Sequence, residues 1–220
     1  TANTYARGTS ERYIGESLRR LQVAREDVVL ASKVYFNEGH LSRAAIEREI
    51  TGTLERLGTD YLDLYLIHRF DYSTPMEETM EALHGLVRSG RVRALGASAM
   101  YGYQLHNLQA LADEHGWTRF AALQNHYNLL YREDERELIP VARQYGMSRT
   151  PYSPLASGHL TRPTWDSASM RATTDDTMRQ KYDRGRELDM PVVERVAKIA
   201  ADHDVPMADV ALAWHWARGV

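Results

Sequence analysis

The strongest constraint on the fold is a regular alternation of short apolar runs with amphipathic helical segments. The runs predicted to be buried strands are residues 27–34, 62–68, 94–98, 121–125 and 148–153. No hairpin turn signal joins one run to the next. Short, continuous apolar runs are typical of strands that are covered on both faces. The pattern therefore predicts βαβ units and a parallel sheet, within one α/β domain that spans residues 1–220.

The segments between and after the runs have helical periodicity. Helices are predicted over residues 11–22, 42–57, 74–89, 102–114, 133–145, 191–202 and 208–218. The first would bury a stripe formed by Tyr13, Ile14, Leu18 and Leu21, and the second would begin at the helix-capping residue Ser42. The polar segment 161–189 has weak periodicity and is predicted to be a mobile loop.

Composition and motifs exclude several classes of function. Hydrophobic residues make up 43% of the chain and charged residues 26%, which excludes disorder of the whole chain. A net charge of −3 disfavours nucleic acid or an anionic membrane as the main partner. The chain has no cysteine, the histidines lack metal-ligand spacing, and the dinucleotide fingerprint GxGxxG is missing, so no metal is expected. Without a visible signal peptide or a membrane-length apolar run, we expect a cytoplasmic protein.

Each predicted strand ends on a polar or titratable side chain. In chain order these are Lys33, His68, Ser98, Gln124 and the pair Tyr152-Ser153. Tyr5 precedes Lys33 by a similar interval, so it is predicted to follow a strand of which the chain holds only the tail. The carboxyl ends of parallel strands meet on one side of the sheet, which carries the active site in barrels and in doubly wound sheets alike.

Tyr5, Lys33 and His68 together suggest acid–base chemistry. A tyrosine phenol has a pKa near ~10, and a neighbouring ammonium stabilises its phenolate and makes it a stronger acid. A histidine beside them could orient a substrate oxygen by a hydrogen bond. Each residue also has a structural interpretation, because Tyr5 could pack against the strands and His68 could be a core histidine with satisfied hydrogen bonds. Lys33 is harder to explain in that way, since burying an unpaired ammonium is costly.

Several short motifs resemble those of the aldo-keto reductase family, and most closely a bacterial branch similar to aryl-alcohol dehydrogenases and potassium-channel β-subunits. The resemblance covers essentially the whole chain, with order and spacing in agreement. The motifs are TANTY at residues 1–5, ASKV at 31–34, RLGTDY at 56–61 leading to IHR at 67–69, GAS at 96–98, QNHYN at 124–128 and PYSPL at 151–155.

The resemblance implies a (β/α)8 barrel that binds NADP(H) and reduces the carbonyl of a small aldehyde or ketone to an alcohol. It makes Tyr5 the proton donor, Lys33 the residue that tunes it and His68 the residue that orients the substrate. It further implies that a bound nicotinamide is held at its carboxamide by Ser98 and Gln124 and stacked on Tyr152. The pyrophosphate would be lined by Ser153, Leu155, Ser157 and Gly158.

The chain departs from the family pattern at its ends and at internal positions, which include Ser148 and Arg149, where relatives usually have apolar residues. The family's catalytic Asp is expected directly before Thr1, and Ala99 stands where many relatives have Asn. About six of the eight strands are expected, without the first, most of the second and the eighth. Two alternatives therefore stay open, a nicotinamide-binding regulatory subunit with negligible turnover and an inactive fragment of the enzyme. The oligomeric state is undetermined by the sequence.

Overall fold

The computed structural model describes residues 1–164, 181–182 and 185–220. They form two compact units, the first made of residues 1–124 and 136–149 and the second of residues 125–135 and 150–220. That the 220 residues form a single barrel domain stays a prediction.

The first unit contains a parallel sheet of five strands. These are β1 (Ala31–Val34), β2 (Leu62–Ile67), β3 (Val92–Ser98), β4 (Phe120–Gln124) and β5 (Ser148–Arg149). Each strand pairs with the next one in the chain, so the sheet order follows the sequence order. A doubly wound sheet reverses its strand order, whereas a (β/α)8 barrel does not. The sheet therefore has the strand order of a barrel.

The predicted strands are present, but two of them are shorter than expected. Residues 27–34 were predicted as one strand, yet Arg25–Asp27 forms a 3-10 turn and β1 begins only at Ala31. The run at 148–153 forms only the two-residue strand β5. At the other edge of β1, the Thr1 amino group donates to the Ala31 carbonyl at 2.9 Å and the Asn3 N–H donates to the Lys33 carbonyl at 3.2 Å. The donors and the acceptors both advance by two residues in the same chain direction, which is the hydrogen-bond pattern of a parallel neighbour. Tyr5 therefore follows a strand-like segment, as predicted.

The helices lie close to their predicted positions. In the first unit they are α1 (Thr9–Arg20), α2 (Arg43–Leu57), α3 (Met76–Arg88), α4 (Gly102–His115) and α5 (Leu138–Gln144), and in the second α6 (Arg186–His203) and α7 (Met207–Ala217). The cap of α2 is confirmed, since the Ser42 hydroxyl accepts a hydrogen bond from the Ala45 N–H at 3.4 Å. None of the helices in the described ranges combines the length and the apolarity required to cross a bilayer.

Two predicted boundaries are corrected. The helix predicted over 133–145 is a 3-10 turn at Glu133–Glu135 followed by α5, which begins at Leu138. The loop predicted over 161–189 includes residues 165–180 and 183–184, which lie outside the described residues. Its last part is not a loop, because α6 already begins at Arg186.

Helix α1 buries only part of the apolar stripe that its sequence predicts. Ile14 and Leu18 are partly buried, and Ile14 packs against the core. Tyr13 is 66% exposed and Leu21 is 73% exposed, whereas Glu11 is fully buried. A Cβ atom added at Gly15 would lie 2.3 Å from the carbonyl oxygen of Leu57, which shows how closely α1 approaches α2. The helix therefore contributes a small residue and a buried charge as well as the partly buried Ile14.

Glu11 is the centre of a buried polar network that joins α1, β1 and α2. Its carboxylate accepts hydrogen bonds from the Ser32 hydroxyl at 2.5 Å and the Thr53 hydroxyl at 3.1 Å. The Arg56 guanidinium completes the network with an ion pair at 2.6 Å. A buried charge is tolerated when it is paired and hydrogen-bonded, and this one ties β1 to both helices next to Lys33.

We predict that Glu11→Ala lowers the free energy of unfolding by about 3–5 kcal/mol, because it leaves the Arg56 guanidinium unpaired in a largely buried place. The matched control is Glu16→Ala on the same helix, whose ion pair with Arg20 is exposed and should cost less than about 1 kcal/mol. Urea denaturation of both variants measures the two values. Equal losses would contradict the importance of the buried network.

Candidate active site

Lys33 lies at the carboxyl end of β1, where its side chain is almost fully buried. Its Nζ donates a hydrogen bond to the Thr1 carbonyl oxygen at 2.8 Å. The same Nζ lies 3.4 Å from the hydroxyl oxygen of Tyr5 and 4.8 Å from the centroid of its ring. The two residues that the strand spacing predicted to meet, 28 positions apart, are therefore in contact in the structure.

His68 directly follows β2, and its backbone N–H donates to the Val34 carbonyl at 2.9 Å. The edge of one ring meets the face of the other between His68 and Tyr5, with centroids 5.7 Å apart. The structure thus brings Tyr5, Lys33 and His68 together at the carboxyl ends of neighbouring strands.

The sequence analysis did not identify Phe36, which lies beside this cluster. Its ring packs edge to face on His68, with centroids 5.0 Å apart, and is about half exposed. The sequence could have indicated Phe36, because it stands three residues after Lys33, in the loop that follows the same strand.

Burial and neighbouring positive charges determine the ionisation of His68. Burial first, then the Lys33 ammonium and Arg69, lower the pKa of His68 to about 4. Burial also lowers the pKa of Lys33. At neutral pH the imidazole is therefore uncharged, so it can hydrogen-bond to an oxygen atom but has no acidic proton of its own to transfer.

The turn after Tyr5 has an unusual backbone. Ala6 and Arg7 both have positive φ angles, of 47° and 54°, and Gly8 follows with 83°. Left-handed conformations are unfavourable for residues other than glycine, and they cluster at functional sites. Here the turn reverses the chain between the strand-like segment and α1, with Tyr5 at its start.

Ser98 and Gln124 end neighbouring strands, β3 and β4, and are directly paired in register. Ser98 is buried, and Gln124 is partly buried. Neither side chain has a hydrogen-bond partner among the residues that the structure describes. A hydroxyl and a primary amide placed side by side, both free to donate and accept, match what a carboxamide needs.

In the second unit, the ring of Tyr152 is part of an aromatic stack. It lies parallel to the ring of His126, with centroids 5.1 Å apart and planes 6° apart, and the two residues form a parallel β-bridge. The Lys181 ammonium lies over the Tyr152 ring, 4.8 Å from its centroid. The lysine thus makes a cation–π contact with the Tyr152 ring.

The residues predicted to line a pyrophosphate, Ser153, Leu155, Ser157 and Gly158, follow Tyr152 in a tight loop. Ala156–Gly158 is a 3-10 turn, and the φ angles of Ser153, Ala156, Ser157 and Gly158 are all positive. Leu155 packs against the apolar core of the second unit. Residues 156–158 thus form a second run of three consecutive positive φ angles in the described part of the chain, after residues 6–8.

Comparison with known proteins decides the family. The model of the aldo/keto reductase family matches residues 1–220. The chain belongs to this family. Its fold is a (β/α)8 barrel, and the five parallel strands of the first unit are the part of it that the structure describes.

The aldo/keto reductase chain is similar to several fungal proteins. It is 42% identical to an aldo-keto reductase of Fusarium vanettenii, over 97% of the chain and 65% of the relative. It is 40% identical to a Saccharomyces cerevisiae protein that carries the name of an aryl-alcohol dehydrogenase, over 100% of the chain and 70% of the relative. It is 37% identical to versiconal hemiacetal acetate reductase of Aspergillus parasiticus, over 97% of the chain and 69% of the relative. The chain thus spans about two thirds of the length of these relatives.

We predict that Lys33→Met raises the pKa of His68 towards its usual value, because the variant removes the largest charge contribution and leaves burial in place. The pKa should stay below the ordinary value of 6.5. Arg119→Met, at the opposite end of the sheet, serves as the control and should leave the pKa unchanged. Proton NMR titration of the His68 ring measures all three proteins, and an unchanged pKa in Lys33→Met would refute the electrostatic coupling.

Proposed function

We propose that this aldo/keto reductase transfers hydride from NADPH to the carbonyl group of a small aldehyde or ketone, with Tyr5 as general acid. The observation that carries the proposal is the contact between the Lys33 ammonium and the Tyr5 hydroxyl, 3.4 Å apart, beside a neutral His68. The relatives named as reductases and as an aryl-alcohol dehydrogenase support the same class of reaction.

Tyr5 is the proton source that the cluster favours. When hydride adds to a carbonyl carbon, negative charge develops on the oxygen and must be met by a proton. Tyr5 gives its phenolic proton to that oxygen, and the phenolate that remains is stabilised by the adjacent ammonium of Lys33. His68 is uncharged at neutral pH, so it is not the acid in this step.

His68 has the role of orienting the substrate. Its Nδ1 is buried and lacks a hydrogen-bond partner within the described part of the chain. The position of the ring is nevertheless restricted, because it packs between the rings of Tyr5 and Phe36. A ring fixed in this way can direct a carbonyl oxygen towards the Tyr5 hydroxyl by a hydrogen bond. Phe36 presents an apolar surface to the same substrate.

The residues present fit a nicotinamide nucleotide. Bound NADPH would supply the hydride. In the first unit, the paired residues Ser98 and Gln124 would hold the carboxamide. In the second unit, the ring face of Tyr152 would stack on a nicotinamide, and Ser153, Leu155, Ser157 and Gly158 would line a pyrophosphate. That the cofactor is NADP(H) rather than NAD(H) rests on the family resemblance.

We predict that Tyr5→Phe lowers kcat for the reduction of 4-nitrobenzaldehyde by at least about 100-fold, the range typical of losing a general acid. NADPH affinity should stay nearly unchanged, because phenylalanine keeps the ring and removes only the hydroxyl. Stopped assays of the alcohol product and fluorescence titration with NADPH, on the protein at its natural length, measure the two effects.

The matched control for this prediction is Tyr13→Phe, which removes a hydroxyl from an exposed tyrosine on α1 and should leave kcat unchanged. If Tyr5→Phe lost NADPH affinity in parallel with activity, Tyr5 would have a structural role. If the unmodified protein bound NADPH without forming any alcohol, a regulatory nicotinamide-binding subunit would be the better description.

A further inference from the structure

His126 lies between two tyrosine rings in the second unit. On one side its ring stacks on Tyr131, with centroids 4.2 Å apart and planes 20° apart. It also stacks on Tyr152, with centroids 5.1 Å apart and planes 6° apart. Tyr131, His126 and Tyr152, named here the ring stack, place the imidazole directly against the tyrosine proposed to contact the nicotinamide.

The backbone fixes the relative position of these rings. His126 and Tyr152 form a parallel β-bridge, and the Tyr152 N–H donates to the Asn125 carbonyl at 2.8 Å. The Asn128 side-chain amide donates to the Ser153 carbonyl at 2.9 Å. The chain on each side of the Tyr152 ring is therefore tied to the segment that carries His126.

The edge of the His126 ring is anchored by Tyr182. The Asn128 amide donates to the Tyr182 hydroxyl oxygen at 3.0 Å, and this oxygen lies 2.8 Å from His126 Nε2. The hydroxyl proton is then available to Nε2, which accepts it when the imidazole is neutral. Burial, as the largest cause, raises the pKa of Tyr182 to about 12, so the hydroxyl keeps its proton at neutral pH.

We propose that His126 is a positioning residue that fixes the ring plane of Tyr152 and so pre-organises the surface on which nicotinamide stacks. This inference rests on the proposed function, because it gives Tyr152 that role. A ring held in its binding orientation before the ligand arrives loses less conformational freedom on binding. His126 acts through Tyr152 and touches no cofactor atom itself.

The first test is NADPH affinity, measured by fluorescence titration of the protein at its natural length. His126→Ala removes the stacking partner and should weaken NADPH binding about tenfold, the upper part of the range for one aromatic pair. His126→Phe keeps a flat ring and should stay within about twofold of the unmodified protein. His115→Ala is the matched control, since His115 also stacks on an aromatic ring, that of Trp117 at 4.3 Å, and should leave NADPH binding unchanged.

A double-mutant cycle separates positioning from a direct contact. Tyr152→Ala alone should weaken NADPH binding, and adding His126→Ala should then have no further effect, because the ring that His126 orients is absent. Losses that multiply in the double variant would overturn the inference. A His126→Ala variant that binds NADPH as tightly as the unmodified protein would also overturn the inference. That result would leave the proposed function intact. A lack of NADPH binding by the unmodified protein would overturn both.

A second readout needs no cofactor. The ring protons of Tyr152 lie over the imidazole, so their NMR signals should move in His126→Ala and return towards their original positions in His126→Phe. Tyr182→Phe, which retains the ring and removes the hydroxyl, serves if His126→Ala does not fold. It should move the same signals and weaken NADPH binding about threefold, the effect of one lost hydrogen bond. Unmoved signals in either folded variant would contradict the inference.

Discussion

The burial of Lys33 at the end of β1 is the constraint around which the candidate active site is arranged. A cation leaves water at a high cost unless polar groups surround it. Here the Thr1 carbonyl at 2.8 Å and the Tyr5 hydroxyl at 3.4 Å provide them. The Tyr5 hydroxyl is thus part of the solvation of the lysine as well as the proposed acid. The same positive charge helps to keep His68 neutral, so one buried group influences both of its neighbours.

The position of Lys33 depends in turn on how β1 is held. On one edge, residues 1–3 donate to alternate β1 carbonyls, and on the other edge β2 pairs with β1 residue by residue. Behind the strand, the Glu11 carboxylate accepts the hydroxyl of Ser32, the residue next to Lys33. Because side chains alternate along a strand, this contact on one face directs Lys33 to the other. A charge buried among the helices therefore supports the charge in the site.

The sequence was sufficient to predict those features that depend on chain order. Strand exits recur at regular intervals, and parallel pairing brings them to one edge, so the meeting of Tyr5, Lys33 and His68 and the pairing of Ser98 with Gln124 could be anticipated. Features set by distant side chains could not. The stripe on α1 is buried only in part, since Tyr13 and Leu21 are exposed, and the burial of Glu11 depends on Ser32, Thr53 and Arg56, which lie 21 to 45 residues away. The stacking of His126 on Tyr152 needs a bridge between segments that no local pattern reveals.

The proposed reduction of a carbonyl group by this cluster can be followed by isotope transfer. The protein at its natural length would be incubated with NADPH carrying deuterium in both positions at C4, together with 4-nitrobenzaldehyde, and the alcohol analysed by mass spectrometry and proton NMR. We expect one deuterium on the carbinol carbon of the alcohol. NADPH binding without deuterated alcohol, or alcohol without deuterium at that carbon, would contradict it.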